Sequence, residues 1–301
     1  MKHIATVVPI LVLLACGGAE EVEPPVTHET SHSIAGPGVV AATDGTTIAY
    51  TVYGDGSPAL VFVHGWMCDQ SYWSEQIEPF STSNTVVTID LPGPGQSGMD
   101  RDDWDMVALG GDVRSVVEHL GLTEVIVLGH SMGGPVALEA ARLMPDRAIA
   151  VVGVDALHDF GFRYEPGSFE AMAAAFESDF AGTMDQFVSS MFHDGADPVL
   201  IAGIRDNMAE GPPDVGADLM VDFEDYDMVA AVSAIDVPIY SINADLWPTD
   251  IEANQAIHAD YDAVIVDEVG HFLMMEDPAA FNAHLVGVIA EISESRVKGQ
   301  E

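Results

Sequence analysis

Apolar positions along the chain fall into two kinds of segment that alternate. Short continuous runs rich in β-branched residues, over residues 59–63, 85–89 and 124–128, have the length and composition of strands buried on both faces. Between them lie segments whose apolar positions are three and four apart. One covers about 104–120, one follows residue 131 and carries Ala137, Leu138, Ala140, Ala141 and Leu143, and one starts at Pro278, with Phe281, Leu285, Val288, Ile289 and Ile292 on one face. That spacing predicts amphipathic helices. Upstream, residues 39–41 and 47–53 flank Thr43-Asp44-Gly45 and predict strand, turn, strand. Further strands are predicted over 148–154, 239–242 and 263–266. The alternation predicts an α/β fold: a mostly parallel twisted sheet of the eight-stranded type with helices on both faces.

The alternation breaks once. Between the strand ending at Val154 and the one starting at Ile239, roughly eighty residues carry no strand signal. Their apolar positions make two helical stripes, one of Phe169, Met172, Ala173, Phe176 and Phe180 and one of Met184, Phe187, Val188 and Met191. This predicts a helical cap over residues 157–235, inserted after the sixth strand, with the core formed by 38–156 and 236–301. An insertion there sits over the carboxyl ends of the strands, and its stripes read as cap-to-body packing.

Charge narrows the partners. In 301 residues there are 49 acidic and 9 basic side chains, a formal net charge of −40. Nucleic acid and anionic membrane surfaces are electrostatically excluded. Such a surface repels itself until salt shortens the screening length, which leads us to expect a salt-rich setting. The chain begins Met1-Lys2-His3, followed by an apolar run to residue 14 that is too short to span a bilayer. Residues 1–15 therefore read as a signal peptide. Its end, Leu13-Leu14-Ala15-Cys16, resembles the lipobox of bacterial lipoproteins. The resemblance implies a lipid on Cys16, attachment to a membrane through that lipid, and a place in the bacterial cell envelope at the periplasmic or outer-membrane face. Residues 16–37, acidic and proline-containing, read as a flexible tether. With Cys16 acylated, Cys68 has no partner and no disulfide is expected.

The chemistry centres on Gly129-His130-Ser131-Met132-Gly133, which follows a β-branched run and precedes a helix. A sharp strand-to-helix turn there would hold the serine hydroxyl clear of the sheet, and the flanking glycines leave room where a Cβ would not fit. Pro135 falls in the first helical turn, where its missing N–H costs little. A serine hydroxyl needs a base to take its proton. His271, in the late loop Gly270-His271-Phe272, is the candidate. His64 and His130 flank the site and read as loop-shaping, and with Met67, Trp247 and Phe272 they are the candidate lining of an apolar acyl or alcohol pocket. No His, Asp and Cys cluster has metal-ligand spacing.

Ser131 on this turn, His64-Gly65-Trp66 after a buried strand, the loop 90–97 and Gly270-His271-Phe272 make the chain similar to the α/β-hydrolase superfamily over about residues 38–295. Pro94 replaces a histidine common among relatives, outside the triad. The resemblance implies Ser131 as nucleophile, His271 as base, and an oxyanion hole from the backbone N–H groups of Trp66 and Met132. It leaves the acid open. Relatives usually carry it in the loop after the seventh strand, but counted from Pro238 that position is Trp247, with Asp245 two residues before it. Asp155, at the end of the sixth strand, is the first choice and Asp245 the alternative. The implied activity is a cofactor-free serine hydrolase cleaving carboxylic esters, thioesters or lactones of a fairly apolar small molecule through an acyl-enzyme. Cleavage of carbon–carbon bonds or amides, perhydrolysis, and a ligand-binding sensor with a vestigial triad stay open as alternatives.

Overall fold

In the computed structural model, which describes residues 35–298, eight strands form one sheet. They are β1 (Gly36–Ala41), β2 (Thr47–Tyr53), β3 (Ala59–Val63), β4 (Thr85–Ile89), β5 (Val125–His130), β6 (Ala148–Val154), β7 (Ile239–Ala244) and β8 (Tyr261–Val266), in the order β1-β2-β4-β3-β5-β6-β7-β8. The β1–β2 and β2–β4 pairs are antiparallel and the rest parallel. The signal peptide, the Cys16 lipid and the tether as far as residue 34 lie outside the described residues. β1 starts at Gly36, inside the stretch assigned to the tether. It pairs only with β2, and an edge strand tolerates Pro37.

The continuous apolar runs are explained by what covers them. In β3, Val61 and Val63 enter one buried cluster with Leu109, Val113 and Val116 of α2 (Met106–His119) and Val136 of α3 (Gly133–Leu143). Leu60 and Phe62 enter the opposite cluster with Phe80 of α1 (Ser74–Ser81). Successive side chains point to opposite faces, so a strand sandwiched between helix layers must be apolar at every position.

Five helices separate β6 from β7: α4 (Ser168–Ser178), α5 (Phe180–Ser189), α6 (Pro198–Met208), α7 (Pro213–Asp225) and α8 (Met228–Val232). Phe176, Met184 and Val188, from the stripes seen in the sequence, are buried in the cluster that contains Met67 and Phe272. After β7 come α9 (Ile251–Ile257), β8, the short α10 (Leu273–Glu276) and α11 (Pro278–Lys298), whose Phe281, Leu285, Val288 and Ile292 close the α1 side of the sheet. Among the described residues no helix is long and apolar enough to cross a membrane.

Candidate active site

The site begins where β5 ends. Ser131 has φ 54°, in the left-handed region that only glycine enters freely, at a cost of about 1–3 kcal/mol. Its neighbours hold it there: the Ser131 N–H donates to the Val154 carbonyl (3.0 Å), and its own carbonyl accepts from the Gly134 N–H (2.9 Å). A Cβ on Gly129 would overlap the Gly133 carbonyl, and one on Gly133 would come within 2.7 Å of the Val63 and His64 carbonyls. Both glycines are therefore demanded by close approach of backbone. The turn after β3 abuts the same spot, since a Cβ on Gly65 would lie 3.1 Å from Ser131 Cβ. No acceptor among the described residues takes the N–H of Met132 or of Trp66, which leaves both donors free for a ligand.

His271 lies in the loop between β8 and α10, buried, with its N–H donating to the Met191 carbonyl (2.8 Å). Its Nδ1 is 2.5 Å from Asp155 Oδ2. Asp155 leaves the end of β6 with φ 43°, and its other oxygen, Oδ1, accepts from the Ala244 N–H (2.8 Å). The adjacent residues Val154 and Asp155 thus hold the serine backbone and the histidine ring respectively. Asp245 does something else. Its N–H still donates to Val266 (3.1 Å), continuing the β7–β8 ladder, and its carboxylate accepts from His193 Nε2 (2.8 Å) and the Glu268 N–H (3.1 Å). The hydrogen bond from His193 holds the Asp245 carboxyl below its ordinary pKa.

Three of the residues expected to line a pocket are buried and brace the loops around the site. His64 is buried, donates from Nδ1 to the Gly65 carbonyl (2.8 Å) and accepts the Leu91 N–H at Nε2 (2.9 Å), and burial lowers its pKa. His130 donates from Nε2 to the His271 carbonyl (2.9 Å), and burial and the nearby His271 push its pKa well down. Phe272 is stacked on Phe192 (5.5 Å between centroids) and buried. All three are held by contacts that tie the motif loops to one another. Trp247 is exposed beside His271, ring to ring 5.3 Å. Met67 lines a cavity of about 210 Å³ between the β3 turn and the helices α4 and α7, with Trp66, Phe176, Phe180 and Met220, and Glu177 and Asp214 also line it. The Trp66 indole is fixed by donation to the Gly216 carbonyl (2.8 Å). Cys68 is fully buried, its thiol donating to the Trp66 carbonyl (3.4 Å), and burial raises its pKa far enough to make it inert.

The sequence did not mark His158. It stands three residues after Asp155, its Nε2 3.5 Å from Asp155 Oδ1. The one signal available was that spacing from the strand-end aspartate. Among the described residues no group of three or more His, Cys, Asp or Glu side chains is arranged to hold a metal ion. A half-buried serine on a strained turn, a buried histidine–carboxylate pair and two unclaimed N–H donors are the parts that acyl transfer requires.

A family model described as Alpha/beta hydrolase family matches residues 60–284. The dihydrolipoyllysine-residue acetyltransferase component of the acetoin cleaving system of Cupriavidus necator is 33% identical over 135 residues, which are 45% of this chain and 36% of that protein. The chain thus spans little more than a third of that relative's length. A bifunctional esterase/perhydrolase of Acinetobacter calcoaceticus is 28% identical over 226 residues, 69% of this chain and 81% of that protein. Among solved structures, an esterase from Exiguobacterium antarcticum superposes with a TM-score of 0.75 at 19% identity, covering 84% of this chain and 98% of the other. At that identity the likeness speaks for the fold.

Proposed function

The chain belongs to the alpha/beta hydrolase family, and from that membership we propose that it is a serine hydrolase cleaving carboxylic esters, thioesters or lactones of a fairly apolar small molecule. The observation that carries the reading is the buried contact of His271 Nδ1 with Asp155, on a loop braced against the Ser131 turn. In this scheme Ser131 Oγ attacks the acyl carbon while His271 takes its proton, and Asp155 fixes the imidazole tautomer and stabilises the imidazolium. The oxygen that gains charge is received by the N–H groups of Met132 and Trp66, each such donor contributing about 10²–10³ in rate. Collapse expels the alcohol or thiol, protonated by His271; in a lactone it stays attached to the acyl group. Water deprotonated by His271 then attacks the acyl-enzyme, and the acid departs as Ser131 recovers its proton.

The cavity beside Trp66 supports an apolar acyl or alcohol group. A cavity of about 150 Å³ lined by aliphatic side chains takes up benzene, so about 210 Å³ suits a phenyl or short alkyl chain. The Glu177 and Asp214 carboxylates disfavour a substrate that carries its own carboxylate there. The same proposal takes the protein to the bacterial envelope by a lipid on Cys16, supported by the Leu13-Leu14-Ala15-Cys16 pattern. Palmitate incorporation that disappears in Cys16→Ser tests that part.

Turnover of p-nitrophenyl butyrate tests the chemistry. Rapid multiple turnover, abolished in Ser131→Ala, is expected. Binding of such esters without turnover would replace the enzyme by a ligand sensor.

A further inference from the structure

Asp155 faces two histidines, and the triad proposed above uses one. His271 Nδ1 lies on Oδ2 at 2.5 Å; His158 Nε2 lies 3.5 Å from Oδ1, with the His158 side chain only 20% exposed. The proton of His158 can be located from its neighbours. Asn243, fully buried, accepts the Ala156 N–H at Oδ1 (3.1 Å), which fixes its amide so that Nδ2 is the donor. That Nδ2 points at His158 Nδ1 (3.2 Å) and at Thr249 Oγ1 (2.9 Å), and the Thr249 hydroxyl, having accepted from Asn243, is free to donate to His158 Nδ1 (3.1 Å). With two donors aimed at Nδ1, the neutral ring must carry its proton on Nε2. Nε2 is buried and makes no hydrogen bond that meets ordinary geometry among the described residues. What lies next to it is Asp155, with Oδ1 at 3.5 Å and the backbone of the same residue as its further polar neighbour.

We propose that His158 is a positioning residue for the hydrolysis: held as the neutral Nε2–H tautomer by Asn243 and Thr249, it turns a positive N–H dipole toward the second oxygen of Asp155 and so lowers the proton affinity of His271. The proposal rests on the serine-hydrolase reading of Ser131 and His271. At 3.5 Å the approach is longer than a hydrogen bond, so the interaction is electrostatic through a short, water-poor gap. A carboxylate whose charge is shared with a second donor pulls less on the proton of the first. The charged groups facing His158 are Asp155 and His271, and those facing His271 are Asp155, the His130 ring at 4.6 Å between centroids, and Glu276, whose carboxylate accepts the Gly270 and Phe272 N–H groups. Asn243 and Thr249 are neutral, Trp247 presents a ring edge 6.3 Å away, and the carboxylates of Asp159 and Asp250 are turned to the Gly161 and Ala253 N–H groups. Burial lowers the His158 pKa, which keeps the ring uncharged while His271 cycles.

The test is NMR of protein with ¹⁵N-labelled histidine, together with the pH profile of kcat/KM on p-nitrophenyl butyrate. In the wild type, His158 should show the Nε2–H tautomer and stay neutral around pH 7. In His158→Phe, the titration midpoint of His271 and the acidic limb of the profile should both move up by about half a unit to one unit. His158→Gln, whose amide keeps an N–H donor, should restore most of the wild-type profile. An Nδ1–H tautomer, a charged His158 near neutral pH, or a midpoint and limb that stay within about 0.2 unit in a folded His158→Phe would each overturn the proposal. The tautomer is read in the wild type and so decides even where the phenylalanine variant does not fold. The NMR readings need no turnover, so an inactive wild type would count against the hydrolase reading and not be confused with failure here.

Discussion

Two histidine–aspartate pairs lie near the carboxyl ends of β6 and β7, alike in chemistry and nearly alike in length: His271–Asp155 at 2.5 Å and His193–Asp245 at 2.8 Å. Their surroundings differ. Side-chain exposure is 7% and 0% in the first pair, and 39% and 35% in the second. In water an ion pair contributes about 0–1 kcal/mol, whereas removing one partner of a buried pair leaves an uncompensated charge at about 3–5 kcal/mol. Only the buried pair can hold one tautomer and stabilise a charge that appears on the ring during reaction. The pairs are also connected: Met191 gives its carbonyl to the His271 N–H, Phe192 stacks on Phe272, and His193 grips Asp245. Three successive residues after α5 therefore brace the His271 loop and hold Asp245 in place.

Asp155→Asn should lower kcat by about 10⁴, because the amide favours the wrong imidazole tautomer, while Asp245→Asn should leave kcat within about threefold on the same ester. Equal losses would erase the distinction between the pairs. Gly270→Ala should act between these extremes. A methyl there meets the Met191 carbonyl and the Phe192 backbone, and the displaced histidine loop should cost up to about 10² in kcat, with a lower Tm. Activity and Tm unchanged together would mean that the bracing segment yields freely.

A smaller effect separates the pairs by pH. The Asp245 pKa is depressed in the folded state, so the stability it contributes is present above the ordinary carboxylate value of 3.8 and is lost as pH falls through its lowered value. Wild type should be more stable than Asp245→Asn at pH 5 by no more than about 1 kcal/mol by calorimetry, and the two should converge as pH falls below the lowered Asp245 pKa. Smallest of all is the salt response of that difference. About 1 M salt shortens the screening length to about 3 Å and should close that gap at pH 5, even as the Tm of both proteins rises because screening relieves the charge of −40. A flat Tm would remove the expectation of a salt-rich setting.

How much of this was readable in advance depended on range. β3, β4 and β5 announced themselves because two helix layers force every position apolar, and the Ser131 turn did so because Gly129 and Gly133 each meet backbone only a few residues away in sequence or across one strand. The acid was not decidable in sequence. Asp155 turns off the sheet at φ 43° while the Asp245 N–H stays in the ladder with Val266, and that difference is set by neighbouring strands. His158 was invisible for the same reason: Asn243 and Thr249, which fix its tautomer, come from β7 and the turn after it, far along the chain.

One buried atom has a practical use. Cys68 is the single cysteine among residues 35–298, and its sulfur is sealed under the Trp66 turn. A maleimide dye would find no target on the native core, so Val199→Cys on α6, at a position 76% exposed, would supply the one accessible thiol among residues 35–298. Fluorescence from that point would follow the helices between β6 and β7 in real time without first stripping the core of its own thiol.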